Sequence, residues 1–511
     1  MKPKVSWLFY LLTLFSQAVM ADTHYVATNG DDSGDCTSEI TPCLTLNYGI
    51  SQMNGGDILE IGDGVYSGDA NNLDKNSNIP PGTDEQYTVI KAANVDDKVS
   101  HVTITSAFNF AVYSSEAAKE IHHVEFDGLK IQSTNPKNLS GHHLKVFRTG
   151  FEGSRSSGGF STFSLGHNNL STASNNILLE DIWSYGIGGR YNVMVYNSEN
   201  VIVRRAFIRH DGGWPCDGSN PESGMVIYNS RNVELQNIVV VDGITNGKEL
   251  AALIEPVKKC QGFTAYYNVS NSSGVVIHEN TRNVGSIALN NNTSNGFAWD
   301  DSKGVKNALL ENSFVYNSST NGAGVNINGN NKDVTITNVT IGESGARGIA
   351  KYGNGNVAKI TNTIVFNSTT EALKNVSGID SLLCYGNQNS TGCNIKDTDP
   401  LASGLVYLPR IETASYLLTA GSGGTTIGAR VINKTGVDGT LYGETGFNTE
   451  QGALWPWPNE DRIAADMCPV RTSGFCATNI TDYVWSALGT ATPVDLKPMA
   501  IPQSLKIQKK P

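Results

Sequence analysis

Three stretches, "VIVRRAFI" (Val201–Ile208), "ALLENSFV" (Ala308–Val315) and "VTITNVTI" (Val334–Ile341), share one pattern: two apolar residues two apart, then a polar residue, then a second apolar run. The pattern recurs in "ILLEDIW" (Ile177–Trp183), "VELQNIVV" (Val233–Val240), "FTAYYNVS" (Phe263–Ser270), "IALNNNTS" (Ile287–Ser294) and "AKITNTIV" (Ala358–Val365). The polar position falls at Asp181, Arg205, Asn237, Asn268, Asn291, Asn312, Asn338 and Asn362, with separations of 24, 32, 31, 23, 21, 26 and 24 residues. Such spacing is a repeat with insertions.

Within each repeat the apolar residues alternate with period two and β-branched residues dominate, so the units are strands. A further strand precedes each of them, as in "VMVYNSENV", "MVIYNSRNV", "FAWDDSKGV" and "VNINGNNKDV". Three short strands in a coil of about 22 to 24 residues describe an all-β, single-stranded, right-handed parallel β-helix, each strand bonding its equivalent about 4.8 Å away. The polar positions are then expected to stack at a bend inside the solenoid, each amide bonding the next. Arg205 is read as part of that ladder. The N-x-S/T sequons follow from a coil rich in Asn, Ser and Thr.

Working outward, "NGGDILEIGDGVYSGD" from Asn54 reads as the first coil, with a short capping helix over Leu44 to Met53 closing the open end of the core. The repeat is lost from about Leu441. Residues 441–511, including "ALWPWPNEDRIAADMC", read as a C-terminal tail folded back on a solenoid spanning 22–440. At the other end, "MKPK", the apolar run Val5 to Phe15 and the small-residue pattern Val19-Met20-Ala21 read as a secretory signal peptide, 1–21, cleaved near Ala21. The expectation is a secreted monomer with no membrane span, because no later stretch approaches about 18 uninterrupted apolar residues.

Eight cysteines in an exported chain point to disulfides, which local spacing pairs as Cys36 with Cys43, Cys384 with Cys393 and Cys468 with Cys476, leaving Cys216 with Cys260. No C-x-x-C or H-x-x-x-H spacing occurs, so a zinc site is not expected. A formal charge of -11 argues against nucleic acid as partner. An acidic polymer would need a local basic patch or a bridging cation.

The opening segment "HYVATNGDDSGDCTSEITPCLTLNYGISQMNGGDILEIGDGVYSG" resembles that of secreted proteins of the pectin-lyase-like β-helix superfamily, and "GSGGTTIGA" from Gly421 resembles the way many of them leave the solenoid. With the ladder, the resemblance covers roughly Thr23 to Ala429. It implies a polysaccharide substrate held on the outer face of the first strand of each coil, flanked by long loops. The outward column of that strand reads Tyr196, Tyr228, Glu255, His278, Asp300, Asn328 and Tyr352. Two inserted loops, from about His210 to Ser223 and Asp242 to Glu249, fall on the same side.

His278, Glu279, Asp300 and Asp301 form the best cluster there, close enough for proton transfer or, for Glu279, Asp300 and Asp301, for calcium. Basic candidates for catalysis are Arg209 and His210 at the end of a third strand, and Lys258, with Lys259 beside it for substrate binding. Tyr196, Tyr228 and Trp214 offer faces for sugar rings, whereas Trp299 falls on an inward position and is read as core. The W-x-D-H and R-x-P-x-x-R motifs of pectate lyases are missing, so their catalytic arginine does not carry over. The expected activity is that of a polysaccharide lyase on a uronate-containing glycan, with calcium or a basic side chain assisting. A glycoside hydrolase, an epimerase and a noncatalytic glycan-binding adhesin are the alternatives.

Overall fold

The computed structural model describes residues 21–489 and two residues beyond, apart from 113–118, 135, 154–160, 167–173, 187–190, 210–222, 242–260, 268–279, 291–294, 302–306, 319–321, 330–332, 354–356, 397, 403 and 470–473. Apart from Ala21, the expected signal peptide lies outside these residues. No helix among them is long and apolar enough to cross a membrane.

Three parallel sheets run the length of the chain. Following the chain through one coil, sheet I takes Tyr191–Tyr196, sheet II Ser198–Arg204 and sheet III Phe207–Arg209. Sheet I has eleven described strands, sheet II twelve and sheet III thirteen. Equivalent residues align from coil to coil, so that Ile177 faces Val201 and Val201 faces Val233. All three are buried and point into the bore. Alternating β-branched and aliphatic residues thus fill a single interior column while the pleat sends their neighbours outward. This is the expected parallel β-helix, with the right-handed crossover that twisted strands impose.

The solenoid begins one strand earlier than "DILEI". Thr23–Val26 already pairs in parallel with Ile58–Ile61. Between them, helix α1 (Leu46–Gln52) buries Leu46 and Ile50 over the end of the bore, and the Thr45 hydroxyl caps it by accepting from Tyr48 N. The disulfides Cys36–Cys43, Cys384–Cys393 and Cys468–Cys476 form as expected. Cys216 and Cys260 lie outside the described residues.

The ladder needs correction in two respects. First, Gln261–Tyr267 is a sheet I strand and Ile287–Leu289 a sheet III strand, so Asn268 and Asn291 do not belong to the bend between sheets II and III. That corner passes from Asn237 to Gly285 and then to Asn312, all with positive φ. Gly285 stands there because a Cβ would meet the Asn237 amide nitrogen at 2.5 Å. Alternation is the same in all three strand types, so by pattern alone the long coil between Asn237 and Gly285 divides into two shorter ones.

Second, apart from Arg205, which donates to Asp181 across one coil (2.6 Å), these side chains do not bond one another. They bond a returning segment of the chain. Asn362 Oδ1 accepts from Ser422 N (2.8 Å), Asn338 Nδ2 donates to Thr426 O (3.1 Å), and Asn312 exchanges two bonds with the Arg430 backbone (2.6 and 2.9 Å). Asn237 accepts from Thr435 N (2.7 Å) and donates to Asn433 O (3.1 Å), and Arg205 meets Asp438 at 2.9 Å. The corner is a docking strip on which the chain runs back toward its start. An amide-to-amide ladder does exist, at the corner entering sheet II: Asn232 donates to Asn200 (2.8 Å), Asn280 to Asn232 (3.0 Å) and Asn307 to Asn280 (3.1 Å).

The last strand of sheet III is Ile395–Lys396, and the covering segment is in place from Leu405, ahead of residue 441. It buries the outer face of sheet III. Trp183, Phe207, Val239, Ile287, Phe314 and Leu383 pack outward against Leu408, Ile427, Trp455, Trp457 and helices α2 (Glu460–Met467) and α3 (Ile480–Ala487). Buried on both faces, sheet III strands such as Val239–Val241 are uninterrupted apolar runs.

Candidate functional site

On sheet I, Tyr196 aligns with Tyr228, Tyr228 with Tyr266, Tyr266 with Asp300 and Asp300 with Asn328. The column continues to Tyr352, since Ile327 aligns with Lys351. Tyr266 therefore holds the place expected for Glu255 and His278, which lie outside the described residues. The backbone of Asp300 and Asp301 is placed in the strand Phe297–Asp301, but their side chains are outside the description. Trp299 is buried, as expected of an inward position.

The tyrosines at one end of this column form a set. Tyr191 and Tyr228 hydroxyls are 2.5 Å apart, and the Tyr196 and Tyr228 rings lie 6.1 Å apart at 83°. At the other end the Lys374 ammonium sits 4.6 Å over the Tyr352 ring. Tyr191 is buried beneath this set, while the half-buried faces of Tyr196, Tyr228 and Tyr352 suit the apolar faces of sugar rings.

Arg209 is elsewhere. It ends a sheet III strand, is buried beneath the tail, donates to Met467 O at 2.8 Å and lies 5.3 Å over the Phe475 ring. Its guanidinium is committed to holding the Cys468–Cys476 segment, which removes it from the sheet I groove. His210, Trp214, Lys258, Lys259 and Glu279 lie outside the described residues, as do both inserted loops.

A second cluster, not foreseen from the sequence, lies on the fourth and fifth strands of sheet II. Two "HH" dipeptides, His122-His123 and His142-His143, align one coil apart. Their rings stack in pairs: His122 on His142 at 4.8 Å and 6°, and His123 on His143 at 4.5 Å and 7°. Within each coil the two Nδ1 atoms are 2.9 Å apart. His123 and His143 have positive φ and occupy the corner that carries Asn176, Asn200, Asn232, Asn280 and Asn307 in later coils. Asn176 Nδ2 meets His143 Nε2 at 3.0 Å, so the imidazoles continue the amide ladder. The signal was available in the repeat of "HH" after one coil length, but local motifs cannot see across coils.

Proton positions follow from the partners. Asp84 only accepts, so His123 Nε2 donates to it (2.8 Å) and His123 Nδ1 accepts from His122. Burial, with the neighbouring imidazoles, holds His122 and His143 below the ordinary histidine range and His142 down at about 4. The hydrogen bond from His123 holds the Asp84 carboxyl low.

Beside the histidines on the outer face of sheet II, Glu125 aligns with Lys145, whose ammonium lies 4.7 Å over the Tyr87 ring. Burial pushes the Glu125 carboxyl up to about 7, Asp127 adds to the shift, and Lys145 and Arg148 oppose it. Tyr87 is raised by burial and by Glu444, so it stays protonated. A carboxyl titrating near neutrality next to an ammonium and a phenol can exchange protons.

The three stacked parallel sheets make this chain a parallel β-helix. No family model and no curated protein matches the sequence. Among solved structures it is similar to a pectate lyase, Pel9A, at 14% identity and TM-score 0.46, over 79% of this chain and 93% of that one. It is also similar to XylC in complex with xylose (10%, TM-score 0.48, 74% and 86%) and to an alginate lyase from Paenibacillus sp. str. FPU-7 (11%, TM-score 0.32, 69% and 95%).

Proposed function

We propose that this protein is a carbohydrate-active β-helix enzyme that binds a uronate-containing glycan along the outer face of sheet I and cleaves it by β-elimination. The observation that carries the reading is the in-register column Tyr196, Tyr228, Tyr266, Asp300, Asn328, which joins aromatic positions to a carboxylate on one straight face. Rungs about 4.8 Å apart match the spacing of successive sugars closely enough for an extended chain to lie along them. In β-elimination a base takes the proton beside the uronate carboxylate, the glycosidic C–O bond breaks on the adjacent carbon, and a double bond forms between the two carbons. The acidic sugar needs neutralising. Calcium held by Asp300 and Asp301, with Glu279, or a lysine from the neighbouring loop at Lys258 and Lys259, would serve.

A second reading places proton transfer at Glu125, Lys145 and Tyr87 on sheet II, favoured by the near-neutral Glu125 carboxyl. One screen tests both. Incubation with a panel of uronate-rich polysaccharides is expected to give products with the ultraviolet absorbance of an unsaturated uronate. Asp300→Asn is expected to lower that rate at least about 100-fold, and Glu125→Gln to leave it within a few fold. The opposite ranking moves the chemistry to sheet II. New reducing ends without the absorbance mean hydrolysis, and binding without either product means an adhesin.

A further inference from the structure

The paired histidines do more than extend a ladder. An asparagine at the same left-handed corner satisfies the ladder in later coils, so packing alone asks for no imidazole at His123 or His143, and asks for none at the outward-facing His122 or His142. Four of the nine histidines in the sequence nevertheless occupy two adjacent coils. Ligand atoms of His122, His123 and His142 all lie within 4.8 Å of one another, and so do those of Asp84, His123 and His143. His123 is common to both sets.

From this geometry we infer that His122, His123, His142 and His143, with Asp84, form a surface site for one divalent transition-metal ion of the zinc and copper class. Imidazole nitrogens with one carboxylate suit Zn²⁺, Cu²⁺, Co²⁺ and Ni²⁺, while Ca²⁺ and Mg²⁺ favour all-oxygen sets. A metal–nitrogen bond of about 2.0–2.1 Å asks ligand nitrogens to lie about 3–4 Å apart, which stacked rings on adjacent coils reach by small rotations about their side-chain bonds. The rings are half-buried and open to solvent on one side, so an ion has a path in. The parallel sheet beneath fixes the coil-to-coil distance, which pre-organises the site.

The site belongs to sheet II and does not depend on the sheet I glycan reading. Its test uses the full chain without a polyhistidine tag, titrated with Co²⁺ and Cu²⁺. One ion per chain is expected, with cobalt d–d absorption and copper electron paramagnetic resonance showing coupling to at least two imidazole nitrogens. His123→Asn with His143→Asn puts the ladder's usual residue at both corners. This double variant is expected to keep its circular dichroism and melting profile while metal affinity falls at least about 100-fold. Should it fail to fold, His122→Gln with His142→Gln leaves the corners untouched and is expected to lose affinity likewise. Wild-type copper spectra without nitrogen coupling overturn the inference, as does unchanged affinity in whichever double variant folds.

Discussion

Asn312→Ala separates a ladder inside the solenoid from a docking strip on its outside. Asn312 has φ of 46° and exchanges two hydrogen bonds with the Arg430 backbone, at 2.6 and 2.9 Å. Arg430 is exposed, so its freed peptide groups can take water, and the two bonds together stabilise the docked segment by about 1 kcal/mol, at the low end of the usual range. Alanine in the left-handed region adds about 1 kcal/mol more. Asn312→Ala is therefore expected to cost about 2 kcal/mol and Asn312→Gly, which escapes the backbone strain, about 1 kcal/mol. Urea denaturation measures the totals, and hydrogen exchange locates them. Faster exchange is expected at Ile427 to Asn433, with the strands Ala308–Glu311 and Val334–Thr337 little changed. Equal loss of protection in those two strands would refute the docking-strip account, and equal costs for the alanine and glycine variants would refute the backbone part of it.

Glu180 accepts from Arg204 at 2.7 Å and Arg205 at 2.7 Å, and all three side chains are buried. Glu180→Gln is therefore expected to destabilise by about 3 kcal/mol, read from urea midpoints, because it leaves the buried Arg204 without its carboxylate, while Arg205 keeps Asp181 and Asp438. Glu125 binds its proton more tightly in the folded chain, so stability is expected to fall as pH rises from about 4.5 to about 7. Glu125→Gln should flatten that part of a stability-versus-pH curve, and an unchanged slope would show that the carboxyl is not desolvated. Arg209→Met is expected to loosen residues 463–485, seen as faster proteolysis there, while glycan turnover stays within a few fold; a collapse of turnover with the tail intact would restore Arg209 to the chemistry.

The fold was legible because the bore imposes one requirement at every coil. Ile177, Val201 and Val233 must all be apolar and two residues from the next apolar position, and that regularity survives insertions of any length between coils. Strand identity was less legible. "FTAYYNVS" and "IALNNNTS" satisfy the same alternation as sheet II strands, and only pairing to Ser223–Tyr228 and Val239–Val241 assigns them to sheets I and III. The asparagine at the sheet II to III corner was visible, but its partner was not. A left-handed asparagine looks the same in sequence whether its amide bonds the next coil or a segment 118 residues away, as Asn312 does. The histidine pairs show the same limit. Their meaning lies in a register of one coil, whereas metal motifs are read over a few residues.

The tail explains why the three outer faces differ. Sheet III strands carry apolar residues on both faces, and such a surface is stable only when covered, which Leu405 to Leu488 achieves. The same returning chain lays Leu441, Tyr442 and Phe447 over Phe147, Leu178 and Ile202 on sheet II. It also brings Val437, Thr440 and Phe447 to the buried Arg204, whose guanidinium donates to each of them. Sheet II is thus covered in its middle, and its histidine coils keep one side open to solvent. On sheet I the outward positions mix Met194, Val226, Ala298 and Ala350 with Tyr196, Tyr228 and Asn326. Beside these aliphatics, the register also aligns Tyr196, Tyr228, Tyr266 and Asp300 along one column of the same face. The tail's route, set by the polar corner and the apolar third strands, therefore covers sheet III and the middle of sheet II.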